Sequence, residues 1–313
     1  MSARTSVVTV TLNAAVDKTY LVPTLPLGRV TRVPEMVAYP GGKGVNVARV
    51  LKQLGVDVVA AGFVAGHNGA FIRTELTKQG IAHDFVDLPG ESRLCLNILH
   101  DGGTSTELLE PGPTVTEADL EALERKLAAL AADAAIVAFS GSAPSGAPAD
   151  VYARLIAVAR AAGALAFLDT SGALLVEGLR AKPDFVKPNQ DEIAALQRRP
   201  AATDGDLAAL VRELVAGGIG CAAITLGADG SLVGADGAVY RVRVPALPVV
   251  SAVGCGDAFV AGFAAATLRG EPIEARLRLA AAAACANALH REAGRVDAAE
   301  LERLLPRIDV APW

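Results

Sequence analysis

The stretch VGCGDAFVAGFAAATL, residues 253–268, holds the residues best suited to chemistry in this 313-residue chain. Gly254 and Gly256 flank Cys255, and Asp257 follows at the mouth of an alanine-rich helix. Glycines accept dihedrals that turn backbone N–H groups inward, and the positive end of the helix lies behind them. Gly254, Cys255 and Gly256 can therefore form an anion hole. A carboxylate beside it can take a proton from a hydroxyl while the amides stabilise charge developing nearby. The plainer reading is that Asp257 caps the helix. A cap needs only one special residue, so the paired glycines favour the base.

A second glycine-rich turn, PGGKGVNVARVLKQLG (40–55), also opens a helix, with Val45, Ala48, Leu51 and Leu54 on its buried face. Gly41, Gly42 and Gly44 let a ligand approach the backbone, and Lys43 adds a point charge. The spacing matches neither GxxxxGK[ST] nor GxGxxG, and glycines at a helix start can be purely structural. KPNQDE (187–192) has Asn-x-x-Glu spacing, which is that of a capping box. The same spacing puts Asn189 and Glu192 on one face of the first turn, where they could hold a hydrated magnesium ion. Both readings stand. TLGADGS (225–231) reads as an ordinary hairpin, and Asn13 and Asp17 in TLNAAVD are polar residues after the first strand.

These residues need elements to position them. From about residue 117 apolar runs alternate with helical patterns. The runs are AAIVAF (134–139), ALAFLD (164–169), DFVKPN (184–189) and CAAITLG (221–227). Such alternation predicts an α/β fold with helices on both faces of a mostly parallel sheet and ligands beyond the carboxyl ends of its strands. The polar clusters at Ser140–Ser142, Asp169–Ser171, Lys187–Asn189 and Thr225–Gly227 should then face one cleft. Two stretches break the rhythm. VTRVPEMVAY (30–39) reads as extended, and residues 93–110 read as two strands joined at Asp101-Gly102-Gly103. Alternation in the first of these strands turns Arg93, Cys95 and Asn97 one way and Leu94, Leu96 and Ile98 the other. An arginine on the polar face suits a cover over a polar ligand; the leucine face could be buried in a dimer or on the chain's own core.

Composition excludes several classes. A net charge of −5 without a basic run argues against nucleic acid. The four cysteines lack CxxC spacing, against a disulfide framework or a zinc site. The N-terminus reads as a first strand rather than a signal peptide, and the apolar stretch 279–289 is too short for a bilayer. A soluble cytoplasmic protein with no membrane partner is the simplest account.

In order, TLNAAVD, GGKGVNVARVLKQLG, SGSAPSG, LDTSG, VKPNQDE, TLGADG and VGCGDAFVAG resemble the PfkB sugar-kinase family over nearly the whole chain. The first and last are specific family signatures, and TLNxxxD with the arginine strand resembles the hexose-phosphate branch. The resemblance implies a ribokinase-like three-layer α/β/α core (1–13, 41–89 and 113–313) and a β-sheet lid (14–40 and 90–112). It implies ATP and Mg2+ as cofactors, with a monovalent cation such as K+ an open addition, and a homodimer through the lid. By the same resemblance Asp257 is the base and Gly254, Cys255 and Gly256 the anion hole. Asp17, Gly41, Gly42, Lys43, Asn46, Arg93, Ser140 and Gly141 would hold the phosphosugar. Lys187, Asn189, Thr225, Gly227, Gly230 and Asn287 would contact the nucleotide, and Asn189 and Glu192 the magnesium.

Three positions depart from the family pattern: Cys255 replaces the usual alanine, Ala14 a proline, and Cys95 a polar residue, often asparagine. The expected reaction is ATP-dependent phosphorylation of a ketohexose phosphate. Fructose 1-phosphate leads, with tagatose 6-phosphate and fructose 6-phosphate as competitors. A non-catalytic sugar-phosphate sensor would have no use for Asp257, and a nicotinamide-dependent dehydrogenase would need the missing GxGxxG.

Overall fold

The computed structural model describes residues 4, 6–102, 104–197 and 203–313. In its first third the chain forms β1 (Ser6–Thr11), β2 (Ala15–Leu21), β3 (Glu35–Gly41), α1 (Lys43–Gln53), β4 (Asp57–Ala65), α2 (Gly66–Lys78) and β5 (Ala82–Leu88). The middle adds β6 (Arg93–His100), β7 (Thr104–Leu109), α3 (Glu117–Ala131), β8 (Ala134–Ser140), α4 (Val151–Ala161), β9 (Leu165–Asp169) and α5 (Gly172–Arg180). There follow β10 (Phe185–Val186), α6 (Gln190–Gln197), α7 (Asp204–Ala216), β11 (Cys221–Thr225), β12 (Ser231–Ala235) and β13 (Ala238–Arg243). Helices α8 (Cys255–Leu268), α9 (Ile273–Ala288) and α10 (Ala298–Leu304) precede the last strand, β14 (Asp309–Pro312).

Ten strands make one sheet in the order β14-β13-β12-β11-β10-β9-β8-β1-β4-β5. From β5 to β11 every pairing is parallel, while β12, β13 and β14 continue antiparallel. The parallel part is covered on both faces, so its strands are apolar along their length rather than alternating. Val7, Ile136, Ala138 and Phe167 face a core shared with α1, α2, α8, α9 and α10. Val8, Val10, Val137, Phe139 and Leu168 face a second core shared with α3 to α7. This is the expected three-layer α/β/α arrangement.

Local chemistry explains the ends of the elements. Thr116 and Asp119 cap α3 reciprocally, the Asp119 side chain accepting from the Thr116 N–H at 2.8 Å. Helices α8 and α9 lie unusually close because Gly262 is bare; a Cβ there would stand 2.8 Å from the Ala280 Cα. Alanine-rich faces make that approach possible, and Phe263 stacks on Phe185 at 4.3 Å between ring centroids beneath them. The run 184–189 is shorter as a strand than its apolar pattern suggests. Phe185 and Val186 alone form the strand, with an isolated bridge from Asn189 to Thr225 beyond Pro188, because Pro183 and Pro188 lack the N–H a ladder requires.

A second sheet, β3-β2-β6-β7, stands over the carboxyl ends of the parallel strands. Strands β6 and β7 pair antiparallel as their sequence suggests, and the turn between them uses left-handed residues at Asp101 and Gly102; Gly103 lies outside the described residues. The extended segment expected at 30–39 pairs only from Glu35, after Pro34. Among the described residues no helix is long and apolar enough to cross a membrane.

Candidate active site

A cleft of about 1030 Å³ opens between the two sheets. At its centre stands Asp257. The chain enters α8 through Gly254, whose φ of 83° is left-handed. A Cβ on Gly254 would lie 2.8 Å from the Ala293 Cβ. Asp257 makes no capping bond to the helix; its carboxylate accepts from Asn46 Nδ2 at 2.9 Å. Only 4% of the residue is exposed. Burial lifts its carboxyl to about 6, with Asp169 adding to the rise while Lys43, Asn46 and Lys187 oppose it. A carboxylate in this range is a usable proton acceptor near neutral pH.

Helix α1 supplies the floor. Lys43, its first residue, places Nζ 3.5 Å from Asp169 Oδ1 and 3.8 Å from Glu192 Oε1. Asp169 therefore holds the ammonium strongly protonated, helped by Asp257 and Glu192 and opposed by burial. Lys187 Nζ reaches the same Asp169 oxygen at 3.3 Å. Burial alone would raise the Asp169 carboxyl, yet Lys187 and Lys43 outweigh it and hold it low. Gly42 lines the cleft, whereas Gly41 lies beneath Asp17, whose carboxylate occupies the space a Cβ would need.

The small sheet closes the opposite wall. Strand β2 runs parallel to β6, so Asp17 pairs with Cys95 and Ala15 with Arg93. Burial raises Asp17 to about 6, with the Arg93 charge opposing and Asp257 adding. Arg93 is anchored through Nε to the Asn13 carbonyl at 3.1 Å and through Nη1 to the Glu110 carbonyl at 3.5 Å, and it lines the cleft. Arg93, Cys95 and Asn97 line the cleft from β6 in keeping with their alternation, and Leu96, expected on the other face, joins the lining as well.

Lys187, Asn189, Thr225, Gly227 and Gly230 line the far end, where Val244, Leu247, Ala281 and Ala284 add an apolar wall. Asn189 and Glu192 form a reciprocal cap. The Asn189 N–H donates to Glu192 Oε2 at 2.8 Å, and the Glu192 N–H donates to Asn189 Oδ1 at 2.8 Å. Among the described residues no group of three His, Cys, Asp or Glu side chains could cage a metal ion.

Five expected contacts fall outside the cleft lining: Gly41 beneath Asp17, Glu192 in its cap with Asn189, and Asn287, Ser140 and Gly141. Asn287 is fully buried: its amide donates to the Val253 carbonyl at 2.9 Å and its oxygen accepts from the Gly294 N–H at 2.9 Å. It ties the glycine turn to the loop behind it. Ser140 is fully buried too. A Cβ on Gly141 would lie 3.5 Å from that of Lys43, and the Gly141 carbonyl is taken by Tyr152 and Thr170. Gly141 thus packs against the Lys43 side chain, and Ser140 lies in the sheet interior. Asp169 lies within LDTSG, yet it carries no site role in the sequence-based expectations. Its signal is its place in a polar cluster at a strand's carboxyl end, opposite Ser140 in register.

Phosphoryl transfer to an alcohol asks for a proton acceptor, amides at a helix start and cations that gather anionic groups. One cleft at the strand ends of a parallel α/β sheet supplies all three, the equipment of a phosphotransferase. The sequence profile described as pfkB family carbohydrate kinase matches residues 7–299. The chain belongs to that family and is a kinase with an alcohol group as acceptor. It is 34% identical over 307 residues to a tagatose-6-phosphate kinase of Staphylococcus epidermidis, covering 97% of this chain and 99% of the relative. Phosphofructokinase-2 of Escherichia coli, solved in complex with potassium, superposes with a TM-score of 0.91 at 25% identity, covering 96% and 98% of the two chains. A possible 1-phosphofructokinase of Thermotoga maritima gives 0.89 at 27% identity, covering 98% and 99%.

Proposed function

We propose that the protein transfers the γ-phosphoryl group of ATP to the free primary hydroxyl of a ketohexose phosphate. The observation that carries this reading is the buried Asp257 carboxylate, oriented by Asn46 and facing Lys43 and Arg93 in one cleft. In this scheme Asp257 takes the hydroxyl proton as the oxygen attacks the γ-phosphorus and ADP leaves. The backbone N–H groups of Gly254, Cys255 and Gly256 receive the charge that builds on the transferred group. Arg93 and Lys43 hold the phosphate already on the sugar, and Asp17 and Asn46 hold its hydroxyls. Lys187 meets the nucleotide phosphates, and the apolar wall at Val244 and Leu247 takes the base.

Magnesium fits this site as a companion of the nucleotide. Asn189 and Glu192 are committed to each other through backbone bonds, so they would reach the ion through water while phosphate oxygens hold it directly. The ion would neutralise phosphate charge. The small sheet then serves as a lid that excludes water from the transfer. Its two edge strands expose Met36 and Val37 on β3 and Leu108 and Leu109 on β7, which supports the homodimer expected through that sheet. A requirement for ATP fits the cytoplasmic location expected from the sequence.

Fructose 1-phosphate, with its free hydroxyl on C6, is the leading acceptor on the arginine strand. The 34% identity to a tagatose-6-phosphate kinase favours a second acceptor, tagatose 6-phosphate, with its free hydroxyl on C1. ADP release measured in parallel with fructose 1-phosphate, tagatose 6-phosphate and fructose 6-phosphate, with and without potassium, decides among them. No release with any phosphosugar would sink the reading.

A further inference from the structure

The cleft has two ends, and one buried acid touches a cation from each. We propose that Asp169 is a positioning residue whose single oxygen Oδ1 clamps Lys43 and Lys187 together, fixing the spacing between the sugar-phosphate and nucleotide-phosphate ends of the cleft. This rests on the phosphotransfer reading above for the roles of the two lysines.

Four observations carry the inference. Asp169 Oδ1 lies 3.5 Å from Lys43 Nζ and 3.3 Å from Lys187 Nζ, whereas its Oδ2 is buried without a partner. The lysines come from separate elements, α1 and the loop after β10, and among the described residues no other acid touches both. Asp169 is 1% exposed, so water cannot substitute for either cation. Its backbone is fixed at the end of β9 in register with Ser140, and the Asp169 carbonyl accepts from the Gly141 N–H at 2.9 Å beneath Lys43. A lone buried carboxylate would be costly. A carboxylate between two ammonium groups is instead a fixed hinge pin: moving either lysine leaves an uncompensated charge.

The charged and titratable groups around Asp169 are Lys43 on α1, Lys187 after β10, Asp257 on α8, Glu192 on α6 and Tyr152 on α4. The Asp169 charge helps keep the Asp257 carboxyl raised, and the lysines it binds pull that carboxyl down. Removing the Asp169 charge takes away its raising influence, so Asp257 ionises at lower pH.

The test uses the purified full chain carrying Asp169→Asn, which preserves size and removes charge. The expected result is a rise of about tenfold or more in KM for both phosphosugar and ATP, since a buried charged contact truncated on one side costs at least that. The acid limb of the kcat profile should also move to lower pH. A merely structural role would lower thermal stability and leave that limb in place, and such a result, or a change in only one KM, overturns the proposal. ADP binding by calorimetry, which needs no turnover, separates the two levels. Weakened binding in the variant of a chain that phosphorylates no sugar would remove the functional reading and keep the clamp. Normal turnover of wild type with an unaltered variant would do the reverse. Should Asp169→Asn fail to fold, Lys43→Met, Lys187→Met and their double variant carry the test through ADP affinity. A shared clamp makes the two losses non-additive, and strict additivity overturns it.

Discussion

The two sheets are built to different rules. In the large sheet β1 and β8 are buried almost throughout, whereas β7 of the small sheet is exposed at nearly every position and β6 is half-buried along its length. A strand sandwiched between helices has no room for a charge except at its end, which is where Asp169 sits. A strand covered on one side can carry Arg93, Cys95 and Asn97 in alternation with leucines. On the proposed function, the large sheet and its helices would set the reactive groups, and the small sheet would contribute the groups that recognise a ligand. Rigidity on one wall and adaptability on the other is a division suited to a reaction that must admit, enclose and release its substrate.

Mutations on the two walls should therefore fail differently. On the rigid wall, Asp257→Asn should cut kcat by roughly 10²–10⁴-fold while ADP still binds by calorimetry; retained turnover would remove the acid as base. In the core beneath, Phe139 packs edge-on to Tyr152 with ring centroids 6.1 Å apart. Phe139→Ala should cost about 3–5 kcal/mol in denaturant unfolding. On the adaptable wall, Arg93→Ala should raise the phosphosugar KM by roughly 10–100-fold, the loss of a charge-assisted contact, and leave the KM for ATP near its original value. An equal change in both would erase the distinction between the walls. A pH series sharpens it. Burial lifts Asp257 to about 6. Only the ionised form accepts a proton, so kcat should fall about tenfold for each pH unit below that value and level off above it. The smallest effect belongs to the rim, where Leu109 is 61% exposed. Leu109→Ala should change monomer stability by about 0.5 kcal/mol or less in the same unfolding assay.

Legibility in the sequence followed the same division. The parallel strands at 134–140, 165–169 and 221–225 read directly from their apolar runs, since burial on both faces leaves no other composition. The glycine turns before α1 and α8 were equally plain, because few residues tolerate their geometry. What stayed hidden depended on contacts between distant segments. No local pattern says that Asn287 turns inward to hold Val253 and Gly294, or that Ser140 is buried in the sheet interior. Asp169 was visible as a polar residue at a strand end, yet its importance comes from lysines more than a hundred positions before it and eighteen after it. Nor does spacing show that Asp257 declines to cap its own helix, a choice made by Asn46 on another one.

The parallel pairing of β2 with β6 sets Ala15 beside Arg93, far along the chain. At a synthesis rate of about 5–20 residues per second, the first ribbon leaves the ribosome roughly 4–16 s before its mate. Through that interval β2 holds an open edge, and the wall that carries Asp17 has no arginine beside it. The nascent protein thus completes its ligand-recognising surface late, after the first strands of its scaffold have already emerged. A variant that delays this pairing would then be rescued by slower translation or by a chaperone guarding the bare strand, and hardly at all by added substrate.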